Sequence, residues 1–167
     1  QLEERAGKPV LGVVPMLEVD VDDEDSLSAR LSRSDKVGLV DMAVIRLPRI
    51  SNFTDFNPLA CLEQVSLRYV DCVASLGQPH VIILPGTKNT MDDLRWLRES
   101  GMEAAVLKHA SAGGAVIGIC GGYQMLGSRL SDPEGVEAGG QMRGMGLLEA
   151  ETVFQGEKTR TRVRGRV

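Results

Sequence analysis

"GAVIGICGGYQMLG", residues 114–127, is the stretch on which the fold turns. Ala115–Ile119 is a short apolar, β-branched run that reads as a buried strand, and it delivers one thiol, Cys120, straight into glycines. Gly118 stands two residues before the thiol, and Gly121 and Gly122 follow it directly. That is the steric pattern of a strand-to-helix elbow, whose central residue takes an unfavourable backbone conformation and whose flanks tolerate no side chains. A helix starting there aims backbone N–H groups and the positive end of its dipole at the sulfur, and both favour thiolate.

Working outward, "HVIILPG" (80–86) is a continuous apolar run, as expected of a strand covered on both faces of a parallel sheet. "NTMDDLRWLRESG" (89–101) predicts a helix capped by Asn89 or Thr90, with Leu94 and Leu97 on one face and Gly101 as terminator. In it Trp96 and Leu97 read as core or interface residues, and Arg95 and Arg98 as a solvated face. "MEAAVLKHASAGG" (102–114) is a second helix leading into the elbow strand. Upstream, "VGLVDMAVIRL" (37–47) and "SLRYV" (66–70) are strand candidates, separated by the polar loop "PRISNFTDFNP" (48–58) and a short helix opening at "PLACLEQ" (58–64). This rhythm predicts an α/β fold with a doubly wound, mostly parallel sheet flanked by helices. After Gly127 the pattern changes, and "GMGLLEAETVFQGEKTRTRVRGRV" (144–167) predicts added antiparallel strands and no closing element, so the fold is expected to be incomplete at the C-terminus.

The first residues differ in character. "KPVLGVVPML" (8–17) predicts a strand ending at a proline, followed by an acidic and polar passage through "SLSARLSRS" (26–34). We therefore divide the chain into residues 1–35 and residues 36–167.

With 167 residues, 43% of them hydrophobic, the chain has the mass of one compact domain. A formal charge of -4 argues against a general nucleic-acid surface, and the basic run "KTRTRVRGR" (158–166) reads as a solvated strand. The apolar stretches are short and interrupted, which predicts no membrane span, no signal peptide and a cytoplasmic setting. Cys61, Cys72 and Cys120 lack paired spacing and fit reduced thiols. No metal site is expected. There is no C-x-x-C and no helical His pair, and "DVDDEDS" (20–26) fails as a calcium loop, with Asp25 where the turn needs glycine and Leu31 where it needs glutamate.

In an open parallel sheet the functional crevice lies beyond the carboxyl ends of the strands, where Cys120 falls. The backbone N–H groups of Gly121 and of Gly86, on the neighbouring "LPGTKN" loop, are placed to stabilise an oxyanion. The alternative is a buried core cysteine beside helix-packing glycines; the second glycine loop favours the nucleophile. Cys61 and Cys72 lack such surroundings and read as helix-face or edge thiols. A cysteine nucleophile needs a base, and the two histidines, His80 and His109, both map to the amino edge of the sheet. A strand of about six residues is roughly 20 Å long, so neither reaches Cys120.

These residues carry a resemblance. "GICGGYQMLG" is similar to the C-x-G-x-Q elbow of class I, triad-type glutamine amidotransferases, which have a flavodoxin-like fold. "IRLPRISNFTDF", "LPGTKNTMDDLRWLRESG" and "DPEGVE" resemble the cobyric acid synthase family in particular, over nearly the whole chain. The resemblance implies a cytoplasmic enzyme of cobalamin biosynthesis that uses glutamine, ATP and Mg2+ to amidate four carboxylates of adenosylcobyrinic acid a,c-diamide. It implies that Cys120 is the nucleophile, that Gly86 and Gly121 form the oxyanion hole and that Gln124 binds substrate. Residues 1–35 would then be the end of a synthetase domain and its linker, and 36–167 a partial amidotransferase domain. No cofactor is expected in this chain, because it has no G-x-x-x-x-G-K-[ST] loop. ATP and Mg2+ belong to the missing synthetase domain of the same polypeptide, and the corrinoid binds elsewhere. The chain is expected to stop before the family's catalytic histidine and so to be nearly inactive alone.

Two matters stay open on sequence. Asn52, Thr54 and Asp55 either contact glutamine, the missing histidine segment or the partner domain, as a substrate or interdomain loop, or simply cap a helix above packed Phe53 and Phe56. The family alternatives are the glutaminase domain of cobyrinic acid a,c-diamide synthase, that of a cell-wall lipid amidotransferase, or a non-catalytic interaction domain of the same fold.

Overall fold

The computed structural model describes residues 2–12 and 38–157. Four parallel strands form the main sheet: β1 (Val40–Ile45), β2 (Val65–Val70), β3 (Val81–Leu84) and β4 (Ala115–Gly118), in the order β2-β1-β3-β4. The helices are α1 (Leu2–Ala6), α2 (Asn57–Ala60), α3 (Val73–Leu76), α4 (Thr90–Glu99), α5 (Met102–Ser111) and α6 (Gly121–Leu126), with a 3-10 turn at Phe53–Phe56 before α2. The expected α/β architecture, with helices flanking a parallel sheet, is present.

Alternation along the strands separates two cores. Ala43, Ile45, Ile82 and Leu84 face α4, α5 and α6, meeting Leu94, Leu97, Val106 and Met125. Val44, Ile83, Val65 and Leu67 face the other way and pack under Phe56. Helix α4 follows its sequence signals: Asn89 caps it by accepting the Asp92 N–H at 2.9 Å. Gly101, at φ 77°, ends α4 and starts α5, a conformation that costs glycine nothing.

One strand departs from expectation. Ile117 pairs in register with Ile83, which puts it on the second face, yet it is 46% exposed, and Ile119 is also exposed. β4 is an edge strand of the described sheet with one bare face, not a buried strand; an apolar run carries no mark that tells the two apart. Arg98 also departs from the solvated face expected of it. It pairs with Glu103 at 2.8 Å and donates to the carbonyl oxygen of Arg143, tying α4 to the second sheet.

That second sheet contains β5 (Arg129–Asp132), β6 (Gly140–Arg143) and β7 (Glu151–Val153) in the order β6-β5-β7. β6 is antiparallel to β5, and β7 is parallel to it. Only β7 falls in the stretch expected to form strands. β5 and β6 carry no strand signal in the sequence, because each is four residues long and mostly polar, and among their residues only Leu130 and Asp132 are buried. At the other end, Lys8–Gly12 form no strand, and the rest of that predicted strand, the acidic run, the boundary at residue 35 and the basic run 158–166 lie outside the described residues.

Candidate active site

Cys120 has φ 52° and ψ −113°, and with Asn52 it is one of two non-glycine residues at positive φ among those described. A side chain held there costs about 1–3 kcal/mol unless its surroundings enforce it. The enforcement is visible. The Ile119 N–H donates to the Leu84 carbonyl at 2.9 Å, and the Gly122 N–H to the Pro85 carbonyl at 3.1 Å, so the elbow is bound to the end of β3 on both sides of the thiol. The flanking glycines are steric requirements. A Cβ on Gly122 would overlap the Leu84 carbonyl oxygen, and one on Gly118 would come within 2.7 Å of the Tyr123 backbone nitrogen. One on Gly121 would come within 2.7 Å of Thr87 Cγ2.

All three cysteines are free and exposed, so exposure does not distinguish Cys120; its backbone does. Cys61 closes α2, and Cys72 precedes α3 with its thiol 3.3 Å from Ser75 Oγ.

Gly86 faces the thiol: a Cβ built on it would lie 3.7 Å from Cys120 Cβ and 3.1 Å from Ser51 Oγ. Its loop is held by an antiparallel pairing, with Ser51 N–H to the Gly86 carbonyl at 2.9 Å and Lys88 N–H to the Arg49 carbonyl at 3.0 Å. The backbone N–H groups of Gly86 and Gly121 meet no backbone acceptor among the described residues. Asp93 anchors this arrangement from below. Fully buried, it accepts from the Arg49 guanidinium at 3.2 Å, the Arg49 N–H at 3.2 Å and the Thr87 hydroxyl at 2.5 Å.

Gln124 lies one helical turn beyond Cys120 and so on the same face of α6. Its N–H donates to the Cys120 carbonyl, and its side chain reaches the buried Thr90 hydroxyl at 3.2 Å. Glu137, from the loop between β5 and β6, meets the same hydroxyl at 3.1 Å. Thus Cys120, Gly86, Gly121 and Gln124 converge. Asn52 and Asp55 do not act as a pair. Asn52 sits in left-handed conformation, exposed, next to Ser51 and hence beside the Gly86 loop. Asp55 instead faces Tyr69, whose hydroxyl donates to the Phe53 carbonyl at 2.7 Å; burial, aided by the Asp55 charge, pushes that phenol up to about 12.

Both histidines lie where topology put them. His80 Nδ1 accepts the Asp41 N–H at 2.9 Å, just before β3, and His109 is 3.2 Å from the Ala115 carbonyl at the start of β4. The run from Ala115 to Cys120 spans roughly 15 Å of extended chain. A cavity of about 600 Å³ opens at that amino edge, lined by Leu76, Pro79, Ile82 and His109, away from the elbow. Among the described residues no group of three or more His, Cys, Asp or Glu is placed to hold a metal ion, and no helix is long and apolar enough to cross a membrane.

Residues missed on sequence are Thr87, Asp93 and Glu137. "TKNTMDD" signals capping, but not that Asp93 turns inward to the Arg49 loop. Glu137 carried only a family likeness within "DPEGVE".

Comparison with known proteins matches residues 41–167 to the CobB/CobQ-like glutamine amidotransferase domain. The chain belongs to this domain family. Within it, the chain is 62% identical to a cobyric acid synthase of Ruminiclostridium cellulolyticum over 157 residues, 94% of this chain and 30% of that protein. It is 52% identical to one from Yersinia enterocolitica over 168 residues, 99% of this chain and 32% of the relative. The chain thus spans about a third of the curated relatives it matches. A solved glutamine amidotransferase superposes with TM-score 0.50 at 22% identity, over 67% of this chain and 55% of the other, which establishes a shared fold. The elbow and the Gly86 loop both lie inside the segment matched by the CobB/CobQ-like domain.

Proposed function

We propose that this chain is the glutaminase part of a cobyric acid synthase. The observation that carries the reading is the strained, exposed Cys120 at φ 52°, facing Gly86 across the end of β3. The Cys120 thiolate attacks the carboxamide carbon of glutamine, and the oxygen takes the negative charge beside the N–H groups of Gly86 and Gly121. Collapse breaks the C–N bond. The nitrogen leaves as ammonia once it has gained a proton, and water hydrolyses the γ-glutamyl thioester to glutamate and free thiol. Gln124 contacts the bound glutamine, and Asn52 lines the approach to it.

Ammonia then serves ATP- and Mg2+-dependent amidation of adenosylcobyrinic acid a,c-diamide at four carboxylates, in a synthetase domain of the same polypeptide. Sequence identity of 62% to part of a cobyric acid synthase supports this assignment. His80 and His109 sit at the far edge of the sheet, so neither serves Cys120; the family resemblance implies a histidine outside these 167 residues as the base, and on that reading the isolated chain is nearly inactive.

The test is labelling of the full-length polypeptide with the glutamine analogue diazo-oxo-norleucine. Selective modification of Cys120, prevented by glutamine and lost in Cys120→Ala, is expected. Equal labelling of Cys61 or Cys72, or none at Cys120, sinks the proposal. So does steady ammonia release by the isolated 167-residue chain, in the matter of the external base.

A further inference from the structure

The Gln124 carboxamide is held by a hydroxyl with a second claimant. Thr90 Oγ1, buried, lies 3.2 Å from Gln124 Oε1 and 3.1 Å from Glu137 Oε1. A threonine hydroxyl has one proton to donate. Glu137 Oε2 meanwhile accepts the N–H groups of Thr90 at 2.8 Å and Met91 at 3.1 Å, which fixes the carboxylate on the first turn of α4. An ionised carboxylate can only accept, and its charge-assisted bond is the stronger, so the Thr90 proton goes to Glu137. What Thr90 then offers Gln124 is a lone pair. The carboxamide satisfies it only by turning its NH2 toward Thr90, since its nitrogen and oxygen exchange places by a half-turn. The Gln124 carbonyl oxygen is thereby left pointing away from Thr90, as an acceptor.

Glu137 is itself held in place. Asp132, buried, accepts the Val136 N–H at 2.7 Å on one oxygen and those of Glu137 and Gly139 at 2.8 Å each on the other. The sequence of contacts runs from Asp132 through the loop to Glu137, then to Thr90, then to Gln124.

We propose that Glu137 is a positioning residue that sets the donor and acceptor polarity of Gln124. It makes the Gln124 carbonyl the group presented to the ligand, and so selects a ligand offering an N–H donor at that point. This rests on the assignment of Gln124 to the glutamine site. Glu137→Gln reverses the relay: the new amide NH2 donates to Thr90, the Thr90 proton turns to the Gln124 oxygen, and the Gln124 NH2 faces the ligand, donor against donor.

The experiment is steady-state glutamine hydrolysis by the full-length polypeptide, beside the rate at which iodoacetamide alkylates Cys120 in the absence of glutamine. Glu137→Gln and Thr90→Val are each expected to raise the glutamine KM about tenfold, with kcat and alkylation rate within about twofold of the parent. Thr90→Ser, which keeps the hydroxyl, is expected to stay within about twofold throughout. An unchanged KM in Glu137→Gln overturns the relay. A joint fall of kcat, alkylation rate and Tm in Glu137→Gln and Thr90→Val overturns it too, since that marks loss of the loop alone. If the unsubstituted polypeptide hydrolyses no glutamine, the functional reading fails and takes the relay with it; an active parent beside an indistinguishable Glu137→Gln ends the relay only.

Discussion

Asp93 Oδ2 lies 2.5 Å from Thr87 Oγ1, and the carboxylate that makes this contact is wholly withdrawn from solvent. Through it the loop that carries Gly86 is fixed to α4 and to Arg49 at once. Asp93→Ala removes the acceptor for three donors, Thr87 Oγ1, the Arg49 N–H and the Arg49 guanidinium. Hydrogen bonds to a charged group contribute about 1.5–3 kcal/mol each in favourable cases, but the Arg49 guanidinium is nearly half exposed and keeps Asp92 at 3.2 Å as a partner beside water. We expect a net loss of about 2 kcal/mol, read from the urea midpoint, and slower labelling of Cys120 by diazo-oxo-norleucine as Gly86 loses its support. An Asp93→Ala variant as stable as the parent contradicts this account of the loop.

The glycines of the elbow make a second prediction, because steric demand and conformational demand separate between positions. Gly122→Ala places a methyl group onto the Leu84 carbonyl, which is backbone and cannot step aside. It is expected to cost about 3 kcal/mol and to abolish labelling of Cys120. Gly135→Ala, at φ 68° with open space around it, should cost only about 1–2 kcal/mol and leave labelling intact. Equal costs by thermal melting at both positions would mean that the elbow is looser than its contacts require.

The same contrast explains what could be read from residues alone. Elbow glycines leave a local signature because they cluster around the thiol in the chain itself, and Gly118 avoids Tyr123 within the same strand-turn-helix unit; the atoms that Gly121 and Gly122 avoid, at Thr87 and Leu84, lie on β3 and the loop after it and had to be found in the fold. Asp93 and Glu137 leave none: their partners Arg49 and Thr90 are 44 and 47 residues away, and only the folded topology brings them together. The openness of β4 was equally hidden, because Ala115–Ile119 has the apolar content of a central strand whichever side it faces. The short strands β5 and β6 failed for another reason. They pair with each other, β6 is tied to α4 by the Arg98 bridge, and each gives the core a single apolar residue, Leu130 or Met142, which is too little to leave an alternating pattern.

Backbone strain at Cys120 predicts a stability order. Cys120→Ala and Cys120→Gly both delete the sulfur, but only glycine adopts φ 52° without a Cβ penalty. The glycine variant is therefore expected to be more stable than the alanine variant by about 1 kcal/mol, net of the freedom glycine adds to the unfolded chain. The reverse order in denaturant melts would show that the conformation is not strained.

Acid should loosen the loop that carries Glu137. Burial pushes the Asp132 carboxyl up, but backbone N–H bonds from Glu137, Gly139, Val136 and Ala138 outweigh it and leave the group below its ordinary value. A carboxylate depressed on folding contributes stability that is present above its unfolded pKa, near 3.9, and lost as pH falls from there through the folded value. Amide hydrogen exchange at Val136, Glu137 and Gly139, corrected for intrinsic rates, should accelerate only in that acid window. Asp132→Asn should show the fast exchange already at neutral pH.

Alkali tests the opposite side of the sheet. Burial first, and then the Asp55 charge, raise Tyr69 to about 12, and its hydroxyl bonds the Phe53 carbonyl. A group raised on folding contributes stability that is whole below its unfolded pKa, near 10, and is lost as pH rises through the folded value. The window is therefore between about pH 10 and about pH 12, where ionisation breaks the Phe53 contact and releases the turn before α2. In Tyr123→Phe, which leaves Tyr69 as the one tyrosine of the 167-residue sequence, tyrosinate absorbance should appear only near pH 12. Adding Asp55→Asn should move that transition down while leaving it above 10, because burial is the larger cause and remains. A midpoint near 10 in Tyr123→Phe would show that the phenol is solvated and that the Phe53 turn is not pinned by it.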